Sequence, residues 1–428
     1  MSHVEAMVAT APEGSNPSPA TKGLVYIMGT YPLLTTTFID REITALQRWG
    51  VQVHVLAMRR PSPGVPLSEH QRALEGAATY LLPAAWRDLV RGHLHFILSR
   101  PVRYFGALAY LLTRPHPGLK ARGKTLLHFG EGVHAAYLVR DLKFREFHAH
   151  FVDRAATVAL VAGRLLHKPY SLSIHAGADI FVDPVLVREK VMQARHTVTC
   201  TAHNVAHVTS LVGEDLRHRM SRVQHGLELA EYSPVSARPN GRPVILSVGQ
   251  LKERKGLAEL IEACRVLRDR GYRFRCRIVG EGPQRPQLEQ LIRRGSLEDV
   301  VTLSGALPHD EVVAEYRNAT MFVLPCIRTR TGDVDGIPNV LAEAMALRVP
   351  VISTDLPAIR ELVSSGVNGL LVAPNDQDAL VGAMCRMLDD EGLRERLGAE
   401  GGRTVSDSFD AETNVREFAR TLWPEWFA

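Results

Sequence analysis

Short apolar runs alternate with stretches of helical spacing along almost the whole chain, and this alternation most restricts what it can fold into. GLVYIMG, from Gly23, is an apolar run ending in glycine; YPLLTTTF reads as a loop, IDREITALQRWG as a helix, and VQVHVLAM as a second strand. Strands buried on both faces read as continuous apolar runs, and a parallel neighbour requires a helical crossover. The pattern therefore predicts an α/β fold with a doubly wound parallel sheet. It continues through EFHAHFV, TVALVAGRLL, YSLSIHA, HTVTCTA and RVQHGLEL. Residues 232–242 (YSPVSARPNGR) then gather Pro234, Pro239 and Gly241 among polar residues, the composition of a linker. A second α/β series follows: PVILSVG, a helix from Leu257, RCRIVG, VTLSGAL, TMFVLP, a helix from about Pro338, VPVIST and GLLVAP.

The expected organisation is two Rossmann-like domains facing each other across a cleft, a division that suits 428 residues. Residues 1–22 read as a disordered tail, 23–232 as the first domain and 233–242 as the linker. Residues 243–400 form the second domain, and 401–428 a C-terminal helix that packs back toward the first. With 45% hydrophobic and 23% charged residues, the chain is neither a disordered polymer nor a multi-span membrane protein. Its longest apolar run, YFGALAYLL, is nine residues, short of the ~20 that a spanning helix needs. The first 22 residues lack the basic and apolar regions of a signal peptide. Five widely spaced cysteines without a C-x-x-C predict neither a disulfide framework nor a zinc cluster, so the expected compartment is the cytoplasm.

In open α/β sheets, ligands bind at the carboxyl ends of strands, where loops meet helix N-termini. The most informative such place is TGDVDGIPNVLAEAMALRVPVIST, from Thr331. Pro338 suits the first position of a helix. Gly336 lets the backbone approach a ligand, and the N–H groups of Ile337 to Val340 would point at an anion. Asp335 and Glu343, eight residues apart, would stand on either side of that phosphate-binding end. The ordinary alternative makes Asp335 a complement to the helix dipole and Glu343 a solvated helix position. Asp333 and Asp335 also spell D-x-D, but the helix dipole already supplies a positive end, so no metal is expected.

The whole segment resembles the donor-site signature of retaining glycosyltransferases of family 4, which have the GT-B fold: an acidic residue, Gly, x, Pro, then LxEAMAxGxPVIxT. SVGQLKERKGLAELIEA resembles the family's phosphate loop, and RIVGEGPQRPQLEQLI its base-side loop with Gly280 and Gly282. STDLPAIRELVSSGVNGLLVAPND resembles its closing segment. In the first domain, YPLLTTTFIDREITALQRWG resembles the acceptor-side loop, SLSIHAGADIF the H-x-x-x-D strand end, and VQHGLELAEYSP the hinge.

The resemblance covers residues 24–428. It implies that Glu343 binds the nucleotide ribose and that Asp335 binds the hydroxyls of the transferred sugar. Gly336, Ile337, Pro338, Asn339, Val340 and Leu341 would bind the β-phosphate, and Lys255 would hold the diphosphate from the other side. His175 would sit across the cleft near the reacting centre, with Thr36, Thr37 and Asp179 on the acceptor side. Three positions depart from the pattern. Gln250 stands where the family has Arg, and Arg254 is the candidate to supply the missing charge; Asp335 replaces a Glu; Arg348 replaces a Gly, read as a helix-end variation. His148 and His150 (HAH) lack comparable support and are left out of the site.

Residues 84–124 carry eight cations against the single acid Asp88, a net of +7 in a chain whose total is +5. Trp86, Phe96, Tyr104, Phe105 and Tyr110 lie among them. Two readings stand side by side: helices lying on an anionic membrane, or ordinary surface helices whose aromatics are core. No nucleic-acid motif accompanies the patch. The functional expectation is a retaining transferase moving a sugar from a UDP- or GDP-linked donor to a hydroxyl of a lipid-linked, polysaccharide or other acceptor, without metal. The alternatives are a sugar-nucleotide epimerase of the same fold and a catalytically silent membrane scaffold.

Overall fold

The computed structural model describes residues 22–233 and 241–426. The expected tail, except Lys22, and most of the expected linker lie outside them. The first domain is a seven-stranded parallel sheet of β1 (Gly23–Thr30), β2 (Gln52–Arg59), β3 (Thr79–Tyr80), β4 (Glu146–His150), β5 (Tyr170–Ile174), β6 (Thr197–Thr199) and β7 (Met220–Arg222), in the order β3-β2-β1-β4-β5-β6-β7. The second is a six-stranded parallel sheet of β8 (Val244–Val248), β9 (Arg275–Val279), β10 (Val301–Gly305), β11 (Met321–Leu324), β12 (Val351–Thr354) and β13 (Leu370–Val372), in the order β10-β9-β8-β11-β12-β13. This is the expected pair of doubly wound Rossmann-like domains.

Alternate residues of β1 explain its continuous apolar run. Val25 and Ile27 join one core with helices Leu119–Val139 and Arg154–Leu166. Leu24, Tyr26 and Met28 join another with helices Thr37–Arg48 and Ala411–Leu422. TVALVAGRLL is part of helix Arg154–Leu166, buried on nearly every side. In RVQHGLEL only Arg222 belongs to a strand. The rest runs as a connection whose Gly226 packs on Ala411: a Cβ there would lie 2.2 Å from the Ala411 Cα.

The chain returns to the first domain at this point. The Leu227 amide donates to the Phe409 carbonyl (2.6 Å), and the Ala411 amide to Leu227 (2.9 Å). Trp423 is buried in the first domain, its indole N–H donating to Glu146 Oε1 at 2.7 Å. The expected boundary at 400/401 instead falls inside helix Glu391–Ser408, which packs on the second domain; the crossing is at 409–411.

Residues 84–124 form helices Trp86–Ser99 and Pro101–Leu112 and the start of Leu119–Val139. Their aromatics divide. Phe96 and Tyr104 are core, whereas Trp86 is 69% and Phe105 54% exposed. Trp86, Val90, Leu94 and Leu98 recur every four residues along one exposed stripe. Twelve of the fourteen exposed large apolar side chains among the described residues lie between residues 86 and 142. Arg100 turns inward to the Leu165 carbonyl and Arg114 stacks on Tyr110, but Arg87, Arg91, Arg103, Lys120, Arg122 and Lys124 stay exposed. Among the described residues no helix is long and apolar enough to cross a membrane.

Candidate active site

The second-domain half of the site is assembled from two strand ends. After β8 the chain makes a 3-10 turn, Glu253–Lys255, and enters helix Leu257–Asp269 through Gly256. Gly256 has φ +65°, and a Cβ there would lie 1.8 Å from the Pro325 carbonyl, so only glycine fits. That close approach brings Arg254 and Lys255 onto the loop after β11. Lys255 Nζ lies 2.9 Å from Asp335 Oδ2; Arg254 reaches Asp335 Oδ1 through Nε and Asp333 Oδ2 through Nη1, both at 2.8 Å. Burial pushes the Asp335 carboxyl up, but Lys255 and Arg254 more than offset this and hold it below its ordinary value.

The helix after this loop is Asn339–Ala346, one residue later than expected, because Pro338 (ψ 119°) is extended and serves as its cap. Leu341 donates to the Pro338 carbonyl at 2.9 Å. The Asn339 and Val340 amides, at the first turn, have no preceding helical carbonyl to reach. Glu343 is buried rather than solvated, its Oε2 accepting from the Tyr316 hydroxyl at 3.1 Å. Asp335 is equally buried, and the solvated reading of Glu343 fails. Gly280 and Gly282 are packing positions: added Cβ atoms would lie 1.9 Å from the Gly249 carbonyl and 2.5 Å from that of Leu251. Gln250 is partly buried on that loop. Arg348 has φ +56°, the left-handed backbone that glycine adopts most easily at helix ends.

The first-domain half is made of neutral rings. His175 follows β5, with Phe38 and Phe151 against it at 4.8 and 4.7 Å. Both its ring nitrogens face other histidines: Nε2 is 3.1 Å from His150 Nδ1, and Nδ1 is 3.2 Å from His225 Nε2. Burial, then the neighbouring imidazoles, lowers the pKa of His175 well below that of an ordinary histidine; burial first lowers His225 to about 4. His150 and His225 were missed. The HAH alternation and the histidine before Gly226 were the available signals.

Two acceptor-side expectations are corrected. The Thr36 hydroxyl is spent closing its own turn, donating to the Leu33 carbonyl and accepting from the Leu33 amide, both at 2.9 Å. Asp179 faces the backbone, accepting from the Val152 amide at 3.1 Å, and burial raises its pKa to about 6. Thr37 opens helix Thr37–Arg48 and lines a groove of about 1010 Å³ shared with Arg41, His70 and His309.

The halves meet directly. A Cβ on Gly336 would lie 3.1 Å from that of Ala176, so glycine admits the approach beside His175. The Asn339 side chain stands beside His225. The Glu361 carboxylate caps helix Ala202–Val212 from the other domain, accepting from the Ala202 and His203 amides at 2.8 Å each. Charged groups on one wall and neutral rings on the other suit a ligand with a polyanionic centre and a hydroxylated, uncharged end.

Residues 230–404 match the family model described as "Glycosyl transferases group 1". A relative from Salmonella typhimurium, described as a putative colanic acid biosynthesis glycosyltransferase WcaL, is 38% identical over 92% of this chain and 97% of its own length. A relative of the same description from Escherichia coli is 42% identical with the same coverage. Among solved structures, Anabaena HepE in complex with UDP and glucose aligns with TM-score 0.67 and 14% identity, over 94% of this chain and 99% of its own. At that identity the likeness is one of fold.

Proposed function

The chain belongs to the group 1 glycosyltransferases, and from that premise we propose that it is a retaining, family 4 enzyme. It takes a sugar from a UDP- or GDP-linked donor to a hydroxyl of a lipid-linked or polysaccharide precursor. The observation that supports this is one juxtaposition: buried Asp335 and Glu343 on either side of a helix N-terminus, with Lys255 2.9 Å from Asp335. Glu343 takes the ribose hydroxyls, and the Asn339 and Val340 amides take the β-phosphate. When the diphosphate enters, Lys255 turns from Asp335 to the phosphate. Arg254 keeps Asp335 charged and leaves one of its oxygens for a sugar hydroxyl. Arg254 thus acts through Asp335 rather than replacing the family arginine at Gln250.

As the bond from the anomeric carbon to the phosphate oxygen breaks, charge grows on the β-phosphate. Lys255 and the helix end meet it without rearrangement. The acceptor hydroxyl attacks from the same face and its proton passes to the leaving phosphate, so configuration is retained without a protein nucleophile. With Asp333 and Asp335 both paired to cations, this reading gives a metal no part. The similarity to relatives described as glycosyltransferases disfavours the epimerase and scaffold alternatives.

The exposed apolar stripe and the six exposed cations of the same segment support a resting place on an anionic membrane, at its cytoplasmic face. The chemistry is tested by the anomeric configuration of the product, followed by NMR from a donor of known configuration. Retention is expected; inversion would overturn the mechanism.

A further inference from the structure

Behind the cleft stands a row of buried and partly buried side chains to which the transfer chemistry assigns no role. Glu42, from helix Thr37–Arg48, accepts the Tyr26 hydroxyl on Oε1 at 2.5 Å, and the same oxygen lies 3.3 Å from His150 Nε2. The row continues from His150 Nδ1 to His175 Nε2 at 3.1 Å and from His175 Nδ1 to His225 Nε2 at 3.2 Å. It ends at Asn339, on the phosphate-binding helix of the other domain. The rings are held as well as joined. His150 and His175 are parallel within 5°, and Phe38 stacks on His225 at 4.1 Å. His148, next to this row, is occupied elsewhere: its nitrogens lie 2.8 and 2.9 Å from the Ser171 and Ser173 hydroxyls. Glu42 and His150 thus meet through the 3.3 Å approach of Oε1 to Nε2, a charge–dipole contact rather than an aligned hydrogen bond.

A neutral imidazole has one N–H and one lone pair, so a row of three has only two self-consistent polarities. The carboxylate decides between them. An N–H on His150 Nε2 is attracted to Glu42 at 3.3 Å, while a lone pair there would be repelled. The favoured polarity puts the proton on Nε2 of all three rings and makes Nδ1 of His225 an acceptor. The other polarity would turn an N–H toward the phosphate-binding helix.

We propose that Glu42 and His150 are positioning residues for sugar transfer, fixing His175 and His225 as Nε2–H tautomers. The Nδ1 atom of His225 is then a permanent hydrogen-bond acceptor beside the Asn339 side chain, at the tip of helix Asn339–Ala346. This rests on the reading of the cleft as the site of transfer.

The test is a long-range ¹H–¹⁵N correlation spectrum of the whole protein labelled at histidine, with each ring assigned through its His→Gln variant. At a pH well above the titration range of histidine, His150, His175 and His225 should all appear as Nε2–H tautomers. Glu42→Gln can donate as well as accept, so the row should invert in part and show Nδ1–H signals. Its kcat should fall about tenfold while KM for the donor stays within about twofold. Nδ1–H tautomers in the unaltered protein would overturn the proposal. So would a Glu42→Gln variant with unchanged tautomers and unchanged kcat. The spectrum of the unaltered protein decides the matter even if the variant fails to fold. Donor binding by Glu343→Ala is a separate readout, so failure of the donor-site reading is told apart from failure of the histidine row.

Discussion

The two walls of the cleft are built on opposite electrostatic principles. The second-domain wall buries charge and keeps it charged, because Asp335 meets Arg254 and Lys255 within 3 Å. The first-domain wall buries titratable rings and keeps them neutral, because burial disfavours the imidazolium of His175 and His225. A charged wall can meet a leaving diphosphate without reorganising. A neutral wall offers directional hydrogen bonds to hydroxyls without drawing the anion to itself. The division teaches that the same operation, removal from water, gives opposite results according to whether a counter-ion is packed alongside.

The strongest way to break this comparison is to remove one charge. Lys255→Ala should lower kcat by roughly 10²–10³, the usual loss when a preorganised group facing a developing anion is deleted. The fold should survive, since Arg254 still pairs with Asp335. Steady-state kinetics and a melting curve decide it, and near-normal turnover would remove Lys255 from the diphosphate site. A control outside both walls is Arg87, Arg91 and Arg103 all changed to Gln. At roughly 1 kcal/mol per cation near an anionic surface, binding to vesicles rich in anionic lipid should weaken by about a hundredfold. Turnover of a soluble acceptor should not change. Equal sedimentation of variant and parent with anionic and neutral vesicles would return the stripe to ordinary surface.

Acid stability sharpens the contrast between the walls. The folded pKa of His225, about 4, lies below its unfolded value of ~6.5, so the unfolded chain binds the extra proton between them. Its contribution to stability is present above pH ~6.5 and is lost as pH falls toward about 4. Asp335, held below its ordinary value, keeps its contribution through that window and loses it only at lower pH. Asp179, raised to about 6, has the reverse slope, so the comparison is with a His225→Gln variant rather than with absolute stability. The Tm difference between parent and variant should shrink by several degrees from pH 6.5 to 4. A constant difference would mean that His225 is not held neutral. The smallest expected effect is that of EDTA, which should leave turnover unchanged; complete, magnesium-reversible loss would contradict a wall made only of protein cations.

The charged wall was largely legible in the sequence, because it is local. Asp335, Gly336 and Glu343 lie within nine residues, and Lys255 lies in a recognisable loop after a strand. The neutral wall was not, because it exists only through strand order. His150 ends β4, His175 follows β5 and His225 lies beyond β7, so only the strand order gathers them, and no spacing rule joins positions 42, 150, 175 and 225. Thr36 and Asp179 were misread for a related reason. A polar residue where a loop turns into a helix can face a ligand or close its own turn, and only the hydrogen-bond partner tells which. Pro338 was one position off because its ψ decides between cap and first turn, and composition does not report ψ.

The account stands most directly on donor binding by the buried carboxylate at the phosphate-binding helix. Calorimetric titration of UDP- and GDP-linked sugars into the parent and Glu343→Ala proteins tests it. One donor should bind the parent, and the variant should bind it at least about tenfold more weakly, the loss of a hydrogen bond to a charged group, with its melting curve still cooperative. Equal affinity of parent and variant for that donor would contradict the assignment of this cleft wall.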